Sequence, residues 1–285
     1  MNNLTISSPL VSIEWLAQNI GHPDLVILDG TMNKVGGVEP VGFLDIRIPN
    51  ARFFDIKKVF SDLESDLPNT LPSPAAFSQA CRKLGINQDS KIVVYDCWGI
   101  YSSPRVWWMF QTMGHEDIAV LDGGLPAWKA ADYTCVKKEN RNFDIGNFEA
   151  NFQSDLVKNA DEVAIAMNEK DYLILDARSK DRFNATSLEP RAHLRGGHIP
   201  NSKSLPYGKL IHNGHLRKPK ELQAIFKNVE VDNQKIICTC GSGITASVIY
   251  FAAHVAGYRD KAIYDGSWTD WAQRLDLPVV KGFEC

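Results

Sequence analysis

The chain carries no excess of positive charge. Its 31 lysines and arginines stand against 34 aspartates and glutamates, a formal net charge of −3 over 285 residues. That balance argues against nucleic acid or an anionic membrane as a partner. No apolar run approaches the roughly 20 residues that a membrane-spanning helix needs. The first ten residues hold no lysine or arginine and no long apolar segment, so neither a signal nor a transit peptide is expected. Cysteine is sparse. Cys81, Cys97, Cys135, Cys238, Cys240 and Cys285 include no Cys-x-x-Cys pair and lack the density of a disulfide scaffold, which suits a reducing cytoplasm. A phosphate loop, a dinucleotide fingerprint and metal-ligand spacing are all missing, so no cofactor and no metal are expected. Hydrophobic residues make up 44% and charged residues 23%, ordinary values for a globular chain with a sizeable core, and the length suits two domains.

Apolar and β-branched runs alternate with helical patterns. Ser12 is placed to cap a helix over 13–20, and Leu25 to Asp29 reads as a buried strand. Ile48-Pro49-Asn50 makes a turn into Arg52-Phe53-Phe54-Asp55. Ser73 to Leu84 reads as a helix with Pro74 in its first turn, Lys91 to Asp96 as a strand, Arg105 to Met113 as an aromatic-rich helix and Ile118 to Asp122 as a strand. The same order returns about 145 residues later, far beyond a solenoid period. Tyr172 to Asp176 answers Leu25 to Asp29, and His198-Ile199-Pro200-Asn201 answers Arg47-Ile48-Pro49-Asn50. Lys235 to Cys240 answers Lys91 to Asp96, and Asp265-Gly266-Ser267-Trp268 answers Asp122-Gly123-Gly124-Leu125. A duplicated α/β domain follows, each half a parallel sheet covered on both faces. The expected boundaries are 8–135 and 154–282, joined by a polar linker over 136–153.

The densest chemistry lies in Lys235-Ile236-Ile237-Cys238-Thr239-Cys240-Gly241-Ser242-Gly243-Ile244-Thr245-Ala246. This reads as strand, tight loop and a helix from Ala246 to Ala256 closed by Gly257. Glycines let such a loop curl so that backbone N–H groups converge, and the helix N-terminus adds positive potential. A thiol there is stabilised as thiolate, the nucleophilic form. Cys240 is the expected nucleophile and Cys238 a buried neighbour. Ser242 and Thr245 either bond the reacting atoms or shape the loop. In the first half Asp96 takes the position of Cys240, and the loop Cys97 to Ser102 is bulkier, so only one half carries the chemistry. Tyr101 either walls the cleft or simply packs.

Together with Ser103-Pro104-Arg105-Val106-Trp107-Trp108, Asp122-Gly123-Gly124, Asp176-Ala177-Arg178, Arg182-Phe183, Glu189-Pro190-Arg191 and Gly197-His198-Ile199-Pro200, these motifs give the chain a likeness to a known family. From about Ser12 to Pro278 it resembles the two-domain rhodanese family of sulfurtransferases, and within it the members that use 3-mercaptopyruvate. The resemblance implies two tandem rhodanese-like domains, the first non-catalytic and the second catalytic. It implies that Cys240 accepts a sulfur atom as a persulfide, releases pyruvate and passes the sulfur to a thiol such as thioredoxin or glutathione, or to cyanide. Thiosulfate-preferring members have cationic residues in the loop, whereas Gly241, Ser242, Gly243, Ile244 and Thr245 are all uncharged. The donor's anionic group must then be held elsewhere, and the match of Arg182 and Arg191 to the family's motifs implies that they grip its carboxylate and keto group; their guanidinium forks suit a planar carboxylate. A monomer is expected. Family members commonly have histidine where Arg47 stands, and arginine cannot act as a general base at neutral pH. Their glycine after Ile-Pro is asparagine here, at Asn50 and Asn201.

A thiosulfate-preferring enzyme and a catalytically silent sulfur-relay or interaction module are the alternatives. A cysteine phosphatase needs arginine six residues after the cysteine, and position 246 is alanine. A papain-like hydrolase would draw on His193, His212, His215 or His254, but no surrounding pattern supports it and surface histidines are expected. His198, beside its Ile-Pro turn, is expected to be structural, and Trp107 and Trp108 to pack.

Overall fold

A computed structural model describes residues 4–35, 41–43, 45–139 and 141–282; Cys285 lies outside them. The chain forms two compact units that are not contiguous in sequence. One comprises Met1–Leu63, Leu71–Gln153 and Asn213–Leu216; the other comprises Glu64–Thr70, Ser154–His212 and Arg217–Cys285.

In the first unit the main sheet is built from β1 (Leu10–Val11), β2 (Leu25–Asp29), β3 (Arg52–Phe53), β4 (Lys91–Tyr95) and β5 (Ile118–Leu121), in spatial order β1-β5-β4-β2-β3. The second unit repeats it with β6 (Val157–Lys158), β7 (Tyr172–Asp176), β8 (Ser202–Ser204), β9 (Lys235–Thr239) and β10 (Lys261–Tyr264), in order β6-β10-β9-β7-β8. Every pairing in both sheets is parallel. The registers also repeat: Leu25 pairs Lys91 through to Asp29 with Tyr95, and Tyr172 pairs Lys235 through to Asp176 with Thr239. The central strands are continuous apolar runs because helices cover both faces. Their carboxyl ends place Asp96 in one unit and Cys240 in the other at the same point, where open parallel sheets bind ligands.

The helices begin and end where the side chains dictate. Ser12 Oγ accepts the Trp15 N–H at the start of α1 (Ile13–Asn19), and Ser73 Oγ accepts that of Ala76 at the start of α2 (Pro74–Lys83). The aromatic helix α3 spans Ser103–Thr112 and starts two residues before its sequence-based expectation. The buried Asp96 carboxylate accepts the Ser103 N–H, so the first turn forms as soon as the loop allows. Gly124–Ala130 forms α4, which the sequence pattern did not predict. Further on lie α5 (Ala160–Ala166), α6 (Lys180–Phe183), α7 (Pro219–Asn228), α8 (Ala246–Ala256) and α9 (Ser267–Gln273). Asn50 and Asn201 both sit in the left-handed region, at φ 63° and 60°, so the turn after each Ile-Pro survives without glycine.

Phe54, Phe60, Phe77, Phe110 and Phe148 form one aromatic cluster in the first unit. Trp107 and Trp108 are buried, and Trp107 Nε1 donates to the Ile118 carbonyl, which is the packing role expected of them. In the second unit Trp268 and Trp271 lie in the core beside Ile174, Ile237 and Tyr264. Each such side chain contributes about 1.5–3 kcal/mol by leaving water. Among the described residues no helix is long and apolar enough to cross a membrane.

Candidate active site

Cys240 is the first residue beyond β9 and is only 2% exposed. The loop then turns through Gly243, at φ +81°, and leads into the N-terminus of α8. A second segment, at the start of α9, fastens this loop. Ser267 Oγ accepts the N–H groups of Cys240 and Gly243, each at 3.2 Å, and donates to the Tyr264 carbonyl at 2.9 Å. The Trp268 N–H donates to Cys240 O, and both the N–H and the hydroxyl of Thr269 donate to Gly241 O. Ser242 Oγ accepts from Asn69 Nδ2 at 3.1 Å, so its own proton can point elsewhere. Ile244 is buried, and Thr245 caps α8 through its backbone position alone. Cys238 is fully buried in β9, and burial pushes its thiol far above the ordinary range, leaving it inert beside Cys240.

The arginines arrive on the chain that follows β7. Ser179 caps the short α6, which carries Arg182. Arg182 gives Nη2 and Nε to Glu189, at 2.6 and 3.3 Å. Glu189 also accepts from Arg178, which grips both Asp176 oxygens and the Gly197 carbonyl. Arg182 lies against the loop: a Cβ on Gly241 would come within 3.2 Å of its Nη2. Arg191 donates Nη1 to Thr269 Oγ1, the hydroxyl that bonds Gly241 O, and is thereby tied to the same loop. Burial and then the neighbouring Arg182 charge lower the Arg191 pKa, with Glu189 and Cys240 opposing. Three guanidinium groups therefore share two carboxylates, and one positive charge is left over beside the thiol. This suits a monoanionic donor.

The second unit thus brings together Cys240, Gly241, Ser242, Gly243, Ile244, Thr245, Arg182 and Arg191. Tyr101 belongs to the first unit, buried in the loop after β4, with Lys34 Nζ 5.3 Å from its ring centre. Asn69, Ser267 and Thr269 were not singled out from sequence. Only Ser267 left a signal there, as the serine that replaces Gly124 in the repeated Asp-Gly turn.

In the first unit the equivalent loop is closed on itself. Asp96 Oδ1 accepts the Trp98 N–H, and Oδ2 accepts those of Tyr101, Ser102 and Ser103. The adjacent Cys97 thiol is pushed up to about 12 by burial and by Asp96, so it supplies no nucleophile. Arg47 Nη1 donates to the carbonyls of Ala51 and Glu139, a structural engagement. His198 is buried, stacked on Phe183 with Nδ1 2.9 Å from the Phe183 carbonyl, in keeping with a structural role. His193, His212 and His215 are exposed as expected, but His254 is half-buried against Arg259 and Lys261. Among the described residues no group of three or more histidine, cysteine or acidic side chains is placed to hold a metal.

A twice-repeated parallel sheet with a cysteine cradled at one carboxyl end defines a rhodanese-type protein, and the family description "Rhodanese-like domain" matches residues 12–131 and 159–274. The chain belongs to that family. It is 40% identical over 273 residues to the 3-mercaptopyruvate sulfurtransferase of Escherichia coli, covering 94% of this chain and 96% of that protein. It is 37% identical over 302 residues to thiosulfate/3-mercaptopyruvate sulfurtransferase 1, mitochondrial, of Arabidopsis thaliana, covering 98% of this chain and 79% of that one. The crystal structure of the Escherichia coli 3-mercaptopyruvate sulfotransferase SseA aligns at a TM-score of 0.81 with 37% identity, over 92% of this chain and 99% of that one.

Proposed function

We propose that the protein is a 3-mercaptopyruvate sulfurtransferase with Cys240 as nucleophile. What carries the reading is an uncharged cysteine loop with Arg182 beside Gly241 and Arg191 tied to the loop through Thr269. The donor carboxylate and keto group sit on those two arginines, which sets the donor sulfur on the Cys240 thiolate. The thiolate attacks that sulfur, an S–S bond forms, and the C–S bond breaks with its electron pair going to carbon. The departing three-carbon unit is the enolate of pyruvate, which Arg182 and Arg191 stabilise until a proton reaches carbon. The loop N–H groups, the α8 N-terminus and the Ser242 hydroxyl hold the sulfur anion. An acceptor thiolate then attacks the outer persulfide sulfur and regenerates Cys240; cyanide in its place leaves as thiocyanate.

Residues 154–282 are the catalytic domain in this account, 8–135 the non-catalytic one and 136–153 the linker. The protein acts as a cytoplasmic monomer without cofactor, with thioredoxin or glutathione as acceptor. The second reading, thiosulfate as donor, draws on the Arabidopsis relative, which is named for both donors. Thiosulfate is a dianion facing a single surplus positive charge, so it is the poorer fit. Initial rates of pyruvate release from 3-mercaptopyruvate and of sulfite release from thiosulfate, with cyanide as common acceptor, separate the two. The account requires kcat/KM to favour mercaptopyruvate by at least about tenfold, the worth of one charge-assisted contact. A preference for thiosulfate overturns the donor assignment.

A further inference from the structure

We propose that Ser267 is the positioning residue that holds the Cys240 loop in its reactive shape, whereas a carboxylate at the nucleophile position holds the equivalent loop of the first unit. The inference rests on the reading of Cys240 as nucleophile and identifies what leaves that side chain uncommitted.

A tight loop between a strand and a helix gathers N–H groups that must find acceptors once water is excluded. The first unit meets this need with the residue at the nucleophile position itself. Asp96 accepts four backbone N–H groups at 2.8–2.9 Å and the Ser103 hydroxyl at 2.7 Å, and it is fully buried. A side chain engaged in that way is fixed and cannot meet a substrate. In the second unit an acceptor stands in the neighbouring turn instead, where Ser267 Oγ takes the N–H groups of Cys240 and Gly243, whose counterparts Asp96 and Gly99 are not among the four held by the carboxylate. Tyr264 O accepts the serine proton, so both lone pairs of Oγ face the loop.

The exchange is reciprocal. Gly124 holds the place of Ser267 in the first unit, and the two share a left-handed backbone, at φ 54° and 52°. A Cβ on Gly124 would lie 2.3 Å from Asp96 O and 2.7 Å from Gly99 O, so no side chain fits where the carboxylate does the holding. At Ser267 a side chain is present in a conformation that glycine would adopt at less cost. Residues held in such conformations persist where the surroundings require them, and they gather at functional sites. Asp96 with Gly124, and Cys240 with Ser267, are two ways of fastening the loop, each through different N–H groups. Only the second frees the side chain at the focus of the loop.

Ser267→Ala removes the hydroxyl and keeps the strained backbone; Ser267→Gly removes both and copies the first unit. In each, the rate of Cys240 alkylation by iodoacetamide is followed against pH, beside kcat and KM for mercaptopyruvate. The expected result is an alkylation midpoint raised by about one pH unit and a kcat lowered at least about tenfold, with KM changed less than about threefold. A lower melting temperature with an unmoved alkylation midpoint would make Ser267 merely structural and overturn the proposal. A double-mutant cycle adds a second reading. Cys240→Asp combined with Ser267→Gly should melt higher than the two single changes predict by addition, because the new carboxylate fastens the loop through its other N–H groups. An additive cycle overturns the reciprocity. Neither alkylation nor melting depends on the sulfur donor, so failure of the donor assignment is read separately, as loss of turnover with the parent protein.

Discussion

Replacing Arg182 by lysine tests the donor grip while keeping its charge. Arg182 gives Nε and Nη2 to Glu189, and its guanidinium lies against Gly241 at the edge of the thiol site. That leaves Nη1 for the donor. A lysine offers one ammonium, which must choose between the buried Glu189 and the donor carboxylate, and it cannot lie flat on Gly241. The loss is one charge-assisted hydrogen bond, worth about 1.5–3 kcal/mol. At about 1.4 kcal/mol per factor of ten, Arg182→Lys should lower kcat/KM for mercaptopyruvate by about 10- to 150-fold. Pyruvate release coupled to lactate dehydrogenase reads this directly. Iodoacetamide is neutral and needs no carboxylate grip, and the charge beside the thiol is conserved, so alkylation of Cys240 should stay within about twofold. A fall in kcat/KM of less than about threefold refutes the reasoning. So does a parallel fall in alkylation, which would mean that Arg182 serves the thiolate rather than the donor.

Gly241→Ala places a Cβ 3.2 Å from Arg182 Nη2, which a long side chain relieves by moving. KM for mercaptopyruvate should rise several-fold with little change in melting temperature, and an unchanged KM would separate Arg182 from the site. Asp96→Asn removes an ionised acceptor of four N–H groups and sets an amide N–H₂ against some of them. The first unit should lose on the order of 3 kcal/mol in urea unfolding, and a loss below about 1 kcal/mol would contradict the closed-loop account. Burial, with Lys261 and Arg259 adding to it, lowers the His254 pKa to about 4. Between that value and the ordinary range near 6.5 the unfolded chain binds the extra proton, so stability falls as pH drops through the window. His254→Gln should flatten the melting temperature between pH 6.5 and 4, whereas an unchanged slope would assign it to other groups.

The duplication was legible because the strands are buried on both faces and therefore spell continuous apolar runs, Leu25 to Asp29 and Tyr172 to Asp176 among them. Cys240 was legible because the two glycines that follow it, Gly241 and Gly243, give the loop away. Arg182 and Arg191 emerged from their match to family motifs rather than from periodicity, since α6 is a single turn. The start of α3 was misplaced because the cap that permits it is the Asp96 side chain, seven residues upstream and not a local Ser or Asn. Asn69 and Thr269, and the role of Ser267 within its repeated motif, escaped notice for a related reason. Each acts on the cysteine loop from a segment distant in sequence, Asn69 from 173 residues away, and hydrogen bonds of that kind leave no spacing to read. His254 looks like a surface histidine in sequence, and only the packing of Arg259 and Lys261 around it shows otherwise.

The central claim is that Cys240 carries sulfur taken from 3-mercaptopyruvate, and intact mass reads it most directly. The reduced protein is weighed before and after mercaptopyruvate, with Cys240→Ser and a thiosulfate incubation alongside. A gain of one sulfur, about 32 Da, that is absent in Cys240→Ser and weaker with thiosulfate is the predicted result. A protein that gains no sulfur from either donor, or gains it equally with Cys240→Ser, would contradict the account.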